Sequence, residues 1–406
     1  MKTFISFPEA RDIVLDHLPD PHEDVTGLDR ALGKTLGRPV AAAENIPPFD
    51  NSAMDGFAVR AQDVPAPGVC LPLAGEISAG CSDTHPLAPG TCVRIMTGAP
   101  LPEGANAVIP IEVAEVHAEE NSVTFLKAAS PGDHVRSAGQ DMPRGRTVLE
   151  AGNVLSPADI AVLASLGQVQ VPIARPPEVS IVTTGNELIE PSEALRPGKI
   201  RNANGPALAA QIATAGGQVY GQFHARDTRE AVRNALEAAC KGDMLVISGG
   251  VSVGDYDFVK EVLEDMGLSM LFWRVRQRPG KPLVFGLLGD IPVFGLPGNP
   301  VSSAVCFEAY VRPALAGMLG RQDTLPRLES AVLGKDIPKK RGLHHFVPGR
   351  ARWTERRLIV APAGPQGSHI VSSLALADGL IHLPESLDEA PAGMPVSFER
   401  LHWEHP

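Results

Sequence analysis

The 406-residue chain has no apolar run approaching the about 18 residues a membrane-spanning helix requires. Its opening segment, MKTFISFPEARDIVLDHLPD, carries acids and prolines where a secretory leader needs an unbroken apolar stretch, so a cytoplasmic protein without membrane contact is expected. Cysteine is sparse. Cys70, Cys81, Cys92, Cys240 and Cys306 are odd in number and form no Cys-x-x-Cys pair, which argues against a disulfide framework and a structural zinc site and suits a reducing cytosol. Positive charge is also short: at a net charge of -11, nonspecific binding to nucleic acid or anionic membrane is disfavoured, and an anionic ligand must be held by a local basic cluster. No GxxxxGK[ST] occurs and no GxGxxG follows a strand, which removes P-loop and Rossmann readings. There is no internal repeat and no low-complexity segment.

What is present describes a globular chain of many short elements. Apolar residues make up 44%, and 40 glycines with 38 prolines punctuate them. The length exceeds what one core usually supports, so two to four domains are expected. Residues 1–45 read as helical, with Phe4, Phe7, Ile13, Val14, Leu18, Leu28, Leu32 and Leu36 at loosely amphipathic spacing before a break at Pro47-Pro48. From Phe57 to about Val135, short β-like runs such as Cys92 to Met96 alternate with Pro and Gly. A helix is expected over Pro157 to Leu166. From Glu178 to about Leu319, strands (Val179 to Thr183, Gln218 to Phe223, Met244 to Ile247, Ile291 to Leu296) alternate with helices (Pro206 to Ala215, Thr228 to Cys240 with Asp227 as a plausible N-cap), which implies a doubly wound sheet with ligands at the carboxyl ends of its strands. After about Arg327 the pattern returns to β.

The segment Asp243 to Lys260, DMLVISGGVSVGDYDFVK, concentrates the chemistry. An apolar strand enters a Gly/Ser loop that precedes a helix, so Ser248, Gly249, Gly250, Ser252 and Gly254 can bring backbone N–H groups close to an anion. If the sheet is parallel, Glu187, Asp227, Asp255 and Asp257 share its ligand rim with Pro297-Gly-Asn299-Pro300. Neighbouring carboxylates repel, so such a site favours a divalent cation, and hard oxygen donors beside a phosphate favour Mg²⁺. The plain alternative is that Asp227 only caps a helix and Asp255 is solvated. Arg274-Val-Arg-Gln-Arg278-Pro-Gly-Lys281 supplies positive charge: in an extended strand Arg274, Arg276 and Arg278 share one face, either to grip an oxyanion or as a charged, solvated edge.

Gly250-Val-Ser252-Val-Gly254 also matches the nucleophile elbow of α/β-hydrolases. Ser248-Gly249 intervene between strand and elbow, however, and the basic face has no role in ester hydrolysis. Triad partners such as Asp290 or Asp336 with His344, His345 or His369 can be picked from any chain this long. Ile46 to Ala58, IPPFDNSAMDGFA, reads by itself as a fixed connection built on Asx-turns.

Taken in order, PPFDNSAMDGFA (47–58), RIMTGAP (94–100), TTGNEL (183–188), SGGVSVGDYDFVK (248–260), PGKP (279–282) and GLPGNPVSS (295–303) resemble the MoeA/gephyrin family of molybdopterin molybdenumtransferases nearly end to end. The resemblance implies an α/β multidomain fold: a MoaB/MogA-like doubly wound α/β molybdopterin-binding domain (178–326), an inserted β domain (46–140), a helical/extended linking domain (1–45 and 141–177) and a C-terminal β domain (327–406). It implies insertion of molybdate into adenylylated molybdopterin with release of AMP, in a step dependent on Mg²⁺ or another divalent cation. Glu187, Asp227 and Asp257 match the active-site acids that position metal and molybdate. Asp55 and Thr97 match positions that complete the site from the partner in a homodimer, and Asp141 a further acidic position. Ser248, Gly249, Gly250, Ser252, Arg274, Arg278, Lys281, Pro297, Asn299, Pro300 and Ser368 are the matching ligand-binding positions. Partners implied are a molybdopterin adenylyltransferase and molybdoenzyme delivery proteins, with neither nucleic acid nor membrane. The chain departs from the family pattern at Arg274 and Arg278, where lysines are familiar, at Asp255 and Gln140, where glutamate and an acid are common, and at His344-His-Phe-Val-Pro348-Gly, which has no arginine where some relatives place one. A scaffold that binds molybdopterin without catalysis remains an alternative, as does a hydrolase using Ser252.

Overall fold

A computed structural model of the chain describes residues 1–81, 85–250 and 258–401. The candidate residues Ser252, Asp255 and Asp257 lie outside them.

The alternation from residue 178 onward becomes a seven-stranded mixed sheet. Its centre is parallel: Glu178–Thr184 lies between Gln218–Ala225 and Met244–Ser248, and Met244–Ser248 pairs in turn with Ile291–Leu296. Every residue of Met244–Ser248 is buried because alternate side chains enter opposite cores, Met244 and Val246 one, Leu245 and Ile247 the other. The helix Asn204–Thr214 packs into the first core; Arg229–Ala239 and Phe258–Asp265 pack into the second. This is the doubly wound layout expected, extended by the antiparallel strands Val284–Leu288 and Ser269–Val275.

The amino-terminal expectation needs correction. Residues 1–45 contain one α-helix, Phe7–Leu15, and little else that is helical. Lys2–Ile5 is a strand at the edge of the seven-stranded sheet beside Ser269–Val275, and Phe7, Ala10 and Val14 enter the first core, so this segment packs with the α/β domain rather than with the linking domain. Pro19 and Pro21 stop the helix, since proline lacks the N–H that a helical ladder needs. Beyond them Glu23–Gly27 pairs with Gln170–Ala174, and Val40–Ala41 with Thr147–Leu149. This linking region buries Leu36, Leu155, Leu163, Val171 and Ile173. Its helix Pro157–Ser165 begins at Ser156, whose hydroxyl accepts from the Asp159 N–H while Asp159 accepts from the Ser156 N–H at 2.8 Å, a reciprocal cap that contributes about 1 kcal/mol.

The inserted region forms a six-stranded sheet from Gly56–Val59 to Ser122–Phe125, packed around Phe57 and Phe125. In the last region His344–Trp353 pairs with both Leu358–Pro362 and Gly379–Leu383, and Leu328–Leu333 and Pro395–Arg400 close the circuit. The result is a closed β-barrel. Gln277–Arg278 adds to His344–His345 in parallel and ties barrel to α/β domain.

At that seam His382 Nε2 lies 2.8 Å from Glu399 Oε2, and His382 Nδ1 3.3 Å from His344 Nε2. Burial first, then His382 and Lys339, push His344 down from 6.5 to about 3. The unfolded chain therefore takes up a proton that the folded chain refuses, and stability present above about pH 6.5 is lost as pH falls toward 3. His344→Asn is expected to flatten the decline of Tm between about pH 6.5 and pH 4. An unchanged decline would assign the acid sensitivity to other groups.

Candidate active site

Strand register brings four loops to one rim. Thr184 lies opposite Ala225, Thr183 opposite Ser248, and Ser248 opposite Leu296, so the segments that follow these residues begin side by side. They enclose a cavity of about 620 Å³ whose lining includes Glu187, Asp227, Ser248, Gly249, Gly250, Pro297, Asn299 and Pro300.

Asp227 is not the helix cap. Thr228 takes that place, its hydroxyl accepting from the Ala231 N–H at 3.3 Å. Asp227 Oδ2 instead accepts the Asn186 N–H at 2.8 Å, and Asn186 Oδ1 accepts the Asp227 N–H at 3.2 Å. These reciprocal bonds hold the two acid-bearing loops together. The Glu187 carboxylate folds over Gly185, where a Cβ would lie 2.6 Å from both oxygens. On the other wall Gly249 and Gly250 adopt φ of 96° and 65°, a left-handed backbone that side chains disfavour. A Cβ on Gly250 would also stand 2.5 Å from Val259 Cγ2. Asn204 Nδ2 donates to Ser248 Oγ and to the Gly298 carbonyl, both at 2.8 Å, and so joins two of the loops.

Arg201, Asn202, Asn204 and His369 also line this cavity and were missed by sequence reasoning. The polar run Arg201-Asn-Ala-Asn204 ahead of a helix was a usable signal for the first three. His369 had none, because it arrives from the C-terminal region.

A second cavity of about 580 Å³ adjoins the first at Pro282. Arg278, Lys281, Ser302, His345 and Ser368 line it, and no carboxylate does among the described residues. Asn299 Nδ2 of the first cavity donates to Ser368 Oγ at 3.1 Å, which places Ser368 at the junction. The common face expected for Arg274, Arg276 and Arg278 is not kept. The backbone at Arg274 is left-handed, with φ of 67°, and its guanidinium stacks 4.1 Å over the Trp273 ring. Arg276 is tied to Glu385 at 3.0 Å. Arg278 and Lys281 are the two that reach the cavity. Just before Arg278, Gln277, 1% exposed, donates to the Gly280 carbonyl at 3.2 Å and accepts from the Tyr310 hydroxyl, which fixes the turn carrying Lys281.

Asp55, Thr97 and Asp141 line neither cavity. Asp55 Oδ1 accepts both the hydroxyl and the N–H of Thr97 at 2.7 Å, and these bonds hold the Asp55 carboxyl below its ordinary range. The Asp141 N–H donates to the Ile46 carbonyl, the Gly98 N–H to the Ser52 carbonyl, and Asp50 accepts from the Ala138 N–H. Three distant sequence motifs thus meet in one loop cluster on the inserted domain.

Comparison with known proteins covers the chain in three parts. Residues 5–167 match the MoeA N-terminal region (domain I and II), residues 180–317 a probable molybdopterin binding domain, and residues 330–401 the MoeA C-terminal region (domain IV). The chain belongs to the MoeA family. A relative from Mycobacterium tuberculosis named molybdopterin molybdenumtransferase 2 is 38% identical over 378 residues, 90% of this chain and 92% of that protein. The molybdopterin molybdenumtransferase of Bacillus subtilis is 37% identical over 365 residues, covering 88% and 85%. A crystal structure of a molybdopterin biosynthesis MoeA protein from Pyrococcus horikoshii superposes with a TM-score of 0.86 at 31% identity, over 99% of this chain and 100% of that one. The MoeA architecture therefore runs from end to end, inserted domain and barrel included.

Proposed function

We propose that this chain is a molybdopterin molybdenumtransferase that inserts molybdate into adenylylated molybdopterin and releases AMP during molybdenum cofactor biosynthesis. The observation that carries the reading is the pair of adjoining cavities with opposite chemistry in a MoeA-family chain: Glu187 and Asp227 line one, Arg278 and Lys281 the other, and Ser368 with Asn299 joins them. In the first, Ser248 with the Gly249 and Gly250 backbone accommodates phosphate, while Pro297, Asn299 and Pro300 form the wall for the pterin. In the second, two cations and serine hydroxyls suit a tetrahedral oxyanion.

Glu187 and Asp227 offer the hard oxygens that Mg²⁺ takes alongside substrate phosphates, so this donor set fits the ion, with Asp257 as a third proposed ligand. When bound, Mg²⁺ would neutralise charge on the phosphoanhydride. The chain's own contribution is to position substrate and stabilise charge, as phosphoryl-transfer sites generally do. The loop cluster of Asp55, Thr97 and Asp141 lines neither of these two cavities, which supports a homodimer in which it completes the site of the second copy. A cytoplasmic location, supply by a molybdopterin adenylyltransferase and transfer to molybdoenzyme delivery proteins belong to the same proposal. No helix among the described residues is long and apolar enough to cross a membrane.

For ester hydrolysis Ser252 lies outside the described residues, and its candidate Asp and His partners are not hydrogen-bonded to one another. Asp290 lies at the start of Ile291–Leu296, away from the ligand rim, Asp336 accepts from the Ala392 N–H, and His344 is bonded to His382. A scaffold that only binds molybdopterin would leave the acid pair Glu187 and Asp227 of the first cavity without a task. Mixing the protein with adenylylated molybdopterin, molybdate and Mg²⁺ is expected to release AMP, and a chelator to stop it. Consumption of ATP with unmodified molybdopterin would place the protein one step earlier, and tight binding without AMP release would make it a scaffold.

A further inference from the structure

We propose that His345 is a ligand-recognising residue of the basic cavity: it hydrogen-bonds the bound oxyanion and takes up a proton from solvent as the anion arrives. This rests on the reading of that cavity as the oxyanion site.

His345 lines the cavity, is 4% exposed, and its Nε2 is buried without a hydrogen-bond partner. Its neighbour His344 is satisfied by His382 and needs no ligand. A buried polar nitrogen left unpaired is costly, so it calls for a partner. The surrounding charges say what kind of ligand supplies one. Arg278 stands across from His345 on the paired strand, Lys281 follows on the next turn, and Lys339 approaches from the loop before the strand. Leu383, opposite on the other neighbouring strand, carries no charge. Glu385 and Asp388 act on Lys339, while the cavity wall carries no carboxylate among the described residues. In a chain of net charge -11, Arg278 and Lys281 on a carboxylate-free wall beside an unpaired imidazole call for an anion with hydrogen-bond acceptors.

Burial first, then Lys339 and Arg278, depress His345 to about 4, so the free cavity presents a neutral ring at physiological pH. A dianion reverses the sign of the local field. An opposite charge within about 4–6 Å shifts a titration by about 1–3 units toward the charged form, and the larger shifts in that range bring His345 into the neutral range. Ligand and proton then bind together, and by linkage the oxyanion must bind more tightly as pH falls.

Calorimetry of molybdate binding to the full-length protein, between about pH 6 and pH 8 in buffers of different ionisation heat, tests this. Wild type is expected to gain about three- to tenfold in affinity from pH 8 to pH 6, with proton uptake. His345→Gln is expected to bind more weakly and to lose both the pH slope and the uptake; His345→Arg is expected to bind without a slope, since its charge is permanent. An unchanged slope and uptake in His345→Gln, with Tm read alongside to confirm folding, would overturn the proposal. The double variant Arg278→Ala/Lys281→Ala separates the two layers. If it abolishes binding while His345→Gln behaves as wild type, only the histidine's role fails. If it binds normally, or wild type binds no molybdate, the oxyanion reading of the cavity falls and the proposal with it.

Discussion

Glu187→Gln is expected to lower the rate of AMP release by about 10²–10⁴-fold without moving the thermal transition. The side chain is exposed and held over Gly185 rather than packed in a core, so the amide retains its shape and removes only the charge. Asp227→Asn is the companion variant. Its amide oxygen can still accept the Asn186 N–H, which keeps the two loops together while the negative charge is lost. Both variants are expected to raise the Mg²⁺ concentration needed for half-maximal turnover, a change that a merely structural defect would not produce. Normal turnover with an unchanged metal requirement in Glu187→Gln would remove this carboxylate from the reaction.

The largest effect on stability is expected away from the cavities, at Glu308. It is 2% exposed, accepts from Gln211 Nε2 at 2.6 Å and from Arg312, and Arg312 donates onward to Thr214 Oγ1 at 3.0 Å. Removing one member of a buried ion pair leaves the other's charge uncompensated, so Glu308→Ala is expected to cost about 3–5 kcal/mol. In a chain of this size that lowers Tm on the order of ten degrees, readable by calorimetry. Replacing Glu308 and Arg312 together by methionine is expected to recover much of the loss, because the desolvation of both charges disappears with them. Equal destabilisation by the single and double variants would show that packing volume, not charge, governs this site.

The legible parts of the fold were those written in short-range pattern. Met244 to Ile247 announced a strand buried on both faces, and the helices expected over Pro157 to Leu166 and Thr228 to Cys240 stand as Pro157–Ser165 and Arg229–Ala239. The misreadings arose where local pattern was overruled. Phe4, Phe7, Ile13 and Val14 suggested a continuous helix, but Lys2–Ile5 was recruited by an open edge of a sheet whose neighbouring strand lies far away in the chain. Arg274 to Arg278 had the alternation of a plain strand, yet one left-handed residue and one acid from the barrel, Glu385, dispersed the three guanidiniums. Asp227 carried the residue type of a cap and was displaced from that role by the threonine beside it.

The amino-acid sequence by itself determined the α/β class, the multidomain layout and the family, because motif order and hydrophobic period are properties of the chain read along its length. It also identified Glu187, Asp227, Arg278 and Lys281 as residues worth watching. Only tertiary structure decided which of these meet: parallel register set the acids on one rim, the closed barrel brought Ser368, His369 and His345 to the walls of two adjoining cavities, and ion pairing withdrew Arg276. The physical reason is that a cavity is made by side chains distant in sequence, and their convergence depends on sheet register and interdomain packing, to which local spacing is blind.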